Sequence, residues 1–224
     1  MAELVFLSDK NRARYFRLVT PVGNLLGRMG VHPHVLSILG LILSLVAALL
    51  FGNGLFFWAA WVVVLAGICD TLDGQIARQT KKNTRFGSFF DSTLDRYGDM
   101  LLLIGLAYWF SGGRTFMAFQ GKLGQGQASP WTLILILVAI GGAFMVSYTK
   151  ARAEGLGIEC KVGLMQRPER MVLLIIGSLL GAIPTIGPLL LKCALLLMAV
   201  FTNLTAMHRI LYVRTELMRE SRGR

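Results

Sequence analysis

The chain has 224 residues, of which 54% are hydrophobic and 16% are charged, and its mean hydropathy is +0.61. A soluble globular domain carries about 25% charged residues, so this composition excludes that class and indicates a membrane protein. The net charge of +11 is also typical of nucleic-acid-binding proteins, but the positions of the basic residues argue against that class.

Nineteen of the 23 lysine and arginine residues fall into four groups that flank apolar runs. These groups occupy residues 10–28, 78–85, 150–170 and 209–224. The alternate loops hold almost none, with Arg114 and Lys122 as exceptions. Basic residues concentrate in the cytoplasmic loops of membrane proteins. We therefore expect a multi-pass protein of the cell membrane with both termini in the cytoplasm, and no nucleic-acid partner.

Residues 8–29 are predicted to form an amphipathic helix that lies in the membrane interface. Apolar residues recur at helical spacing from Tyr15 to Met29. Basic residues are interleaved with them at Arg12, Arg14, Arg17 and Arg28. A helix with one apolar stripe and a basic face is typical of the interface. Pro21 is expected to restart this helix, with Thr20 as its cap.

Six apolar segments follow, and several reach or approach the roughly 20 residues that cross the hydrocarbon core. The predicted spans are residues 34–51, 55–77, 86–110, 131–151, 171–183 and 189–212. The fold class is therefore an all-α integral membrane protein with six transmembrane helices after the interfacial helix. Residues 1–224 are expected to form one domain, in which residues 34–212 are the six-helix bundle and residues 213–224 are a basic cytoplasmic tail.

Five aspartates lie within the otherwise apolar second and third spans. Ionised carboxylates are costly inside a bilayer and mark a functional site. Asp70 and Asp73 are three residues apart and Asp91 and Asp95 are four apart, so each pair shares one helix face. Because a short loop joins the two spans, we expect these four carboxylates to converge at one depth, with Asp99 one turn further on.

Four converging carboxylates repel one another, and burial increases that repulsion. Divalent cations relieve it, and oxygen ligands without nearby histidine or cysteine favour Mg²⁺ or Mn²⁺ over Zn²⁺. Four carboxylates can hold two ions, an arrangement that suits a displacement at phosphorus. On charge alone, the aspartates of an ion or proton transporter are the alternative.

The aspartates belong to a longer pattern, Asp70-x2-Asp73-Gly74-x2-Ala77-Arg78-x8-Gly87-x3-Asp91-x3-Asp95. This pattern closely resembles the signature of the CDP-alcohol phosphotransferase family, which are membrane enzymes of phospholipid synthesis. A transporter pathway explains neither Arg78 nor the spacing of the glycines. The resemblance implies that a phosphatidyl group is transferred from a CDP-linked lipid to an alcohol, with release of CMP.

The resemblance also implies roles for individual residues. Two Mg²⁺ or Mn²⁺ ions per active site would be held by Asp70, Asp73, Asp91 and Asp95. Asp95 would also act as the catalytic general base. The residues expected to bind the CDP-lipid are His34, Ser37, Gly74, Ala77, Arg78, Thr84 and Gly87. His34 departs from the pattern, since the family commonly has Asn or Asp at that position.

The acceptor alcohol must be inferred from basic residues on the side of the membrane where the aspartates lie. Lys150, Arg170 and Arg209 suit an acceptor that carries a phosphate. Most of the chain resembles the phosphatidylinositol phosphate synthase branch of the family, including Arg167-Pro168-Glu169-Arg170. That resemblance implies CDP-diacylglycerol as donor, inositol phosphate as acceptor and Ser147, Lys150, Arg170 and Arg209 as the acceptor phosphate-binding residues. Glycerol 3-phosphate, which would give phosphatidylglycerol phosphate, is the alternative acceptor.

A homodimer is expected from the resemblance alone. Gly177 and Gly181 form a GxxxG pattern that permits close helix contact. This pattern is common in apolar spans, so it does not identify the dimer interface.

Overall fold

A computed structural model describes residues 9–79, 84–113 and 127–222. The described residues form helices and no strand, which confirms the all-α class. The helices are α1 (Asp9–Arg28), α2 (Pro33–Phe51), α3 (Phe56–Gln79), α4 (Arg85–Phe110), α5 (Pro130–Glu154), α6 (Arg167–Gly181) and α7 (Gly187–Arg222). Residue 8 of the predicted interfacial helix and residues 223–224 of the predicted tail lie outside the described ranges.

Local sequence signals set several helix boundaries. Pro33 and Pro130 are the first residues of α2 and α5, where a missing N–H leaves no helical hydrogen bond unmade. Thr84 caps α4, because its Oγ1 accepts a hydrogen bond from the backbone N–H of Gly87 at 2.9 Å. Gly54 ends the turn before α3 with φ +74, a conformation that glycine adopts without strain.

The predicted restart of α1 at Pro21 is wrong, since α1 continues through this proline. Val19 is buried in a cluster with Leu72 and Ile76 of α3, so packing against α3 keeps α1 continuous through Pro21. Gln75 of α3 also donates to the backbone carbonyl of Thr20 at 3.2 Å. These contacts with α3 stabilise α1 around Pro21, where the local sequence predicted a cap at Thr20.

The other six helices pack in a closed ring. In order around the ring, α2 packs on α3, α3 on α6, α6 on α7, α7 on α5, α5 on α4, and α4 on α2. The helices α3 and α4 therefore both pack along α2, and the polar faces of all three border one space inside the ring.

The apolar core fills the rest of the ring and draws on all six helices. Its largest buried side chains include Phe51, Phe110, Ile136, Leu191 and Leu195. The helices α2 and α4 approach closely at Gly105, where an added Cβ would overlap the backbone of Ala48. This close contact fixes α4 against α2 and so positions the aspartates of α4.

The outer surface is apolar, as in a membrane protein. Trp131 is 79% exposed and Trp58 is 62% exposed, and many large aliphatic side chains are also exposed. Within the described residues, α2, α3, α5 and α7 are long and apolar enough to cross a membrane. The helix α4 carries charged residues inside the ring, and α6 has 15 residues. A total of six spans stays a prediction.

Candidate active site

Side chains from α3 and α4 meet in a polar pocket inside the ring. The carboxylate of Asp70 interacts with that of Asp95, and the carboxylate of Asp73 interacts with that of Asp91. One oxygen each from Asp70, Asp91 and Asp95 lies within 4.8 Å of the other two. The structure thus brings together the carboxylates whose convergence the sequence predicted.

The carboxylate of Asp73 is held from α2. Asp73 is 3% exposed, and Ser37 Oγ donates a hydrogen bond to its Oδ2 at 2.6 Å. Hydrogen bonds to a carboxylate are short and strong because the acceptor is charged. A third helix therefore orients one of the four carboxylates.

The donor set of this cluster fits Mg²⁺ or Mn²⁺. Asp70, Asp91 and Asp95 offer oxygen atoms, the hard donors that these ions prefer. Oxygens bound to one Mg²⁺ at about 2.1 Å lie at most ~4.2 Å apart. Small side-chain rotations would therefore bring the three oxygens into range of one ion, and Asp73 lies beside Asp91 as a fourth ligand candidate.

Arg167, the first residue of α6, forms ion pairs with several of these aspartates. Its Nη1 lies 2.8 Å from Asp70 Oδ1, and its Nη2 lies 2.8 Å from Asp95 Oδ1. Its Nε lies 3.5 Å from Oδ1 of Asp99. One guanidinium therefore bridges α3 and α4. Within the Arg-Pro-Glu-Arg segment, only Arg170 is predicted from the sequence to belong to a site, because no local signal tells which arginine faces α3.

Arg170, predicted to bind the acceptor phosphate, forms an ion pair with Asp99. Its Nη2 lies 2.8 Å from Asp99 Oδ2, and its side chain is 7% exposed. Asp99 had no predicted role, although its position one turn after Asp95 placed it on the same helix face. Together, Arg167 and Arg170 attach the start of α6 to α4 through Asp99.

The other predicted acceptor residues lie around the carboxyl end of α5. Arg209 is 2% exposed and donates through Nε to the carbonyl of Val162 at 2.8 Å and through Nη1 to the carbonyl of Val146. This places Arg209 beside Ser147, whose Oγ donates to its own helix at 3.2 Å. Lys150 is more exposed and pairs with Glu154 at 3.8 Å. Arg209 and Arg170 are close enough to influence each other electrostatically.

A second, larger cavity adjoins the aspartates. It is lined by all seven residues predicted to bind the CDP-lipid, namely His34, Ser37, Gly74, Ala77, Arg78, Thr84 and Gly87. Asp73 and Asp91 line both cavities, so a ligand in the second one would lie directly against the carboxylates. The ring of His34 also packs edge-on against Phe90, with centroids 5.4 Å apart.

Comparison with known proteins identifies the family. The family model for CDP-alcohol phosphatidyltransferases matches residues 30–209. The chain belongs to the CDP-alcohol phosphatidyltransferase family. A phosphatidylinositol phosphate synthase of Mycolicibacterium smegmatis is 35% identical over 206 residues, covering 91% of this chain and 87% of that protein. An archaetidylinositol phosphate synthase of Methanothermobacter thermautotrophicus is 32% identical over 197 residues, covering 88% and 89%.

Solved structures of this family share the fold. The phosphatidylinositol phosphate synthase of Mycobacterium tuberculosis with CDP-DAG bound superposes with a TM-score of 0.73 at 33% identity, over 88% of this chain and 94% of that one. The same enzyme in complex with manganese and citrate gives a TM-score of 0.74 at 33% identity, over 88% and 89%. The chain is therefore an enzyme of this family, which confirms the predicted enzyme class over a transporter.

Proposed function

We propose that this CDP-alcohol phosphatidyltransferase transfers a phosphatidyl group from CDP-diacylglycerol to a hydroxyl of inositol phosphate, forming phosphatidylinositol phosphate and CMP. The observation that carries this proposal is the position of the aspartate cluster, which borders a cavity lined by the whole predicted CDP-lipid set. Relatives named for phosphatidylinositol phosphate and archaetidylinositol phosphate synthesis differ in the lipid but share the headgroup, which favours inositol phosphate over glycerol 3-phosphate.

The four aspartates of the signature, Asp70, Asp73, Asp91 and Asp95, would hold two Mg²⁺ or Mn²⁺ ions. Bound divalent ions supply positive charge to the diphosphate and to the leaving group. Ser37 would orient Asp73 for this role through the 2.6 Å hydrogen bond. The enzyme of M. tuberculosis has been solved in complex with manganese and citrate, which supports this choice of metal.

Asp95 would serve as the general base of the reaction. The hydroxyl oxygen of the acceptor would form a bond to the phosphorus that carries the diacylglycerol. The bond from this phosphorus to the bridging oxygen would break, and CMP would leave with the electron pair. The hydroxyl proton would pass to the Asp95 carboxylate, and such a base contributes a factor of about 10²–10⁴.

The second cavity would bind the cytidine diphosphate part of the donor. Gly74 and Gly87 leave space along α3 and α4, and Arg78 supplies a guanidinium that can pair with a phosphate. Ser147, Lys150, Arg170 and Arg209 would bind the acceptor phosphate. The proximity of Arg170 and Arg209 supports this pocket, since two guanidinium groups close together attract a dianion.

We further propose six membrane spans in a single domain, with both termini and the active site on the cytoplasmic side of the cell membrane. The helix α1 would lie in the interface, because Val22 and Leu25 are exposed on it and its arginines are interleaved. The end of α7 would form the basic cytoplasmic tail. A homodimer is proposed from the family resemblance.

The proposal is tested by CMP release from purified protein in detergent with CDP-diacylglycerol and Mn²⁺. Inositol phosphate, glycerol 3-phosphate, free inositol and serine are supplied in separate reactions. Release with inositol phosphate alone is the expected result. Release with glycerol 3-phosphate alone would retain the chemistry and overturn the acceptor.

A pair of lysine variants tests the acceptor pocket. Lys150→Gln should raise the KM for inositol phosphate and leave the KM for CDP-diacylglycerol unchanged. Lys192→Gln is the matched control, because Lys192 lies over the ring of Phe110, away from the aspartates. Equal effects of the two substitutions would exclude Lys150 from the pocket.

A further inference from the structure

Arg167 binds oxygen atoms that the proposed metal site also needs. Its two Nη atoms lie 2.8 Å from Oδ1 of Asp70 and 2.8 Å from Oδ1 of Asp95. Both aspartates belong to the group of three whose oxygens converge within 4.8 Å. A guanidinium in this position neutralises the repulsion between α3 and α4, which is the same task that divalent cations would perform.

A divalent ion and this guanidinium cannot both bind the same carboxylates without lowering each other's affinity. Two cations a few ångströms apart repel each other strongly in a partly buried site, where solvent screening is weak. The Arg167 side chain is 27% exposed and that of Asp95 is 16% exposed, so water screens this site only in part. Either cation must therefore weaken the binding of the other.

The structure also contains a place for the displaced guanidinium. Arg167 Nε and Asp99 Oδ1 are buried, and within the described part of the chain neither has a hydrogen-bond partner. These two atoms lie 3.5 Å apart, slightly too far for a good hydrogen bond. Movement of the Arg167 guanidinium toward Asp99 would complete this bond, and the oxygens of Asp70 and Asp95 would become free as the two Nη atoms leave them.

We propose that Arg167 and divalent metal are alternative counter-cations for Asp70 and Asp95, and that metal binding moves the Arg167 guanidinium onto Asp99. The inference rests on the proposed metal site. Arg167 is then a positioning residue, which keeps the carboxylates together before metal arrives and sets how tightly metal binds. Asp99, which also holds Arg170, couples the metal site to the proposed acceptor pocket.

The test is Mn²⁺ binding to the full-length protein in detergent without substrates, measured from the EPR signal of free Mn²⁺. Arg167→Gln removes the competing charge and should bind Mn²⁺ at least about tenfold tighter than the wild type. Arg152→Gln is the matched control, because Arg152 is an exposed arginine at the carboxyl end of α5, and its affinity should equal that of the wild type. Equal or weaker binding by Arg167→Gln would overturn the inference and leave the metal site intact. If neither the wild type nor Arg167→Gln binds Mn²⁺, both the inference and the proposed metal site are overturned.

Arg167→Lys keeps the charge but loses the forked contact with two carboxylates, so its Mn²⁺ affinity should lie between those of the wild type and Arg167→Gln. If Arg167→Gln does not fold, the comparison of Arg167→Lys with the wild type decides, and an equal or lower affinity would contradict the inference.

Asp99→Asn tests the route of displacement. It should weaken Mn²⁺ binding more in the wild-type background than in the Arg167→Gln background, because only the wild type needs Asp99 to receive the guanidinium. An identical loss in both backgrounds would show that Arg167 does not move to Asp99.

Discussion

Ser37 is expected to control the metal site through Asp73, and a matched serine on the same helix provides the control. Ser37 and Ser44 lie seven residues apart on α2, line the same cavity and are 8% and 6% exposed. Ser37 Oγ donates to Asp73 at 2.6 Å, whereas Ser44 Oγ donates to the carbonyl of Gly40 in its own helix at 2.9 Å. Both Ser→Ala substitutions therefore remove one hydroxyl oxygen, but only Ser37→Ala removes a hydrogen bond to a carboxylate.

The size of the effect follows from the type of bond. A hydrogen bond to a charged group contributes about 1.5–3 kcal/mol. If this contribution is lost from the metal-loaded state, the Mn²⁺ concentration that gives half-maximal activity rises about 10- to 150-fold, since 1.36 kcal/mol corresponds to a factor of ten. Ser44→Ala should stay within about threefold of the wild type, because it keeps every contact of the aspartates.

The assay is the initial rate of CMP release as a function of Mn²⁺ concentration, with CDP-diacylglycerol and inositol phosphate saturating. For Ser37→Ala, the curve should shift to higher Mn²⁺ while the maximal rate is largely recovered. Identical curves for Ser37→Ala and Ser44→Ala would refute the idea that α2 orients a metal ligand. Thermal unfolding of both variants checks that each retains the fold.

Three further predictions concern the base, the metal and the helix contact. Asp95→Asn should lower the rate of CMP release by about 10²-fold or more, yet remain folded, because Arg167 keeps its partner Asp70; full activity would exclude Asp95 as the base. EDTA should abolish CMP release, and Mn²⁺ or Mg²⁺ should restore it, while circular dichroism stays unchanged; activity that persists in EDTA would exclude a metal mechanism. Gly105→Ala should lower the melting temperature relative to Gly141→Ala by roughly 2–4 °C per kcal/mol, because a Cβ at Gly105 overlaps the backbone of α2 whereas nothing lies within 4 Å at Gly141. Equal melting temperatures would show that α2 and α4 can separate without cost.

The sequence predicted the helices well because their signals are local. Long apolar runs are interrupted by glycine and proline, and these positions coincide with turns or helix starts at Gly54, Pro33 and Pro130. The prediction failed at Pro21, where contacts with α3 outweigh the local preference for a break. A single chain segment carries no information about such a distant partner.

The aspartate cluster and the residues of the adjoining cavity were also predictable. Helical spacing places residues three or four apart on one face, so Asp70 and Asp73 must point the same way, as must Asp91 and Asp95. The pattern from Asp70 to Asp95 could then be matched to the signature that it resembles, residue by residue, and all seven predicted CDP-lipid residues line one cavity.

Only the tertiary structure decided which side chains the aspartates meet. Arg167 and Arg170 stand three residues apart in one segment, and both are basic, yet Arg167 reaches Asp70 and Asp95 while Arg170 reaches Asp99. The choice depends on how α6 is rotated and how closely it packs on α3, which is set by contacts far apart in sequence. The amino-acid sequence by itself thus determined the helices, the facing carboxylates and the family, because these follow from spacing along one segment. The pairing of charges across helices followed from the packing of the ring, because it depends on distances that no single segment specifies.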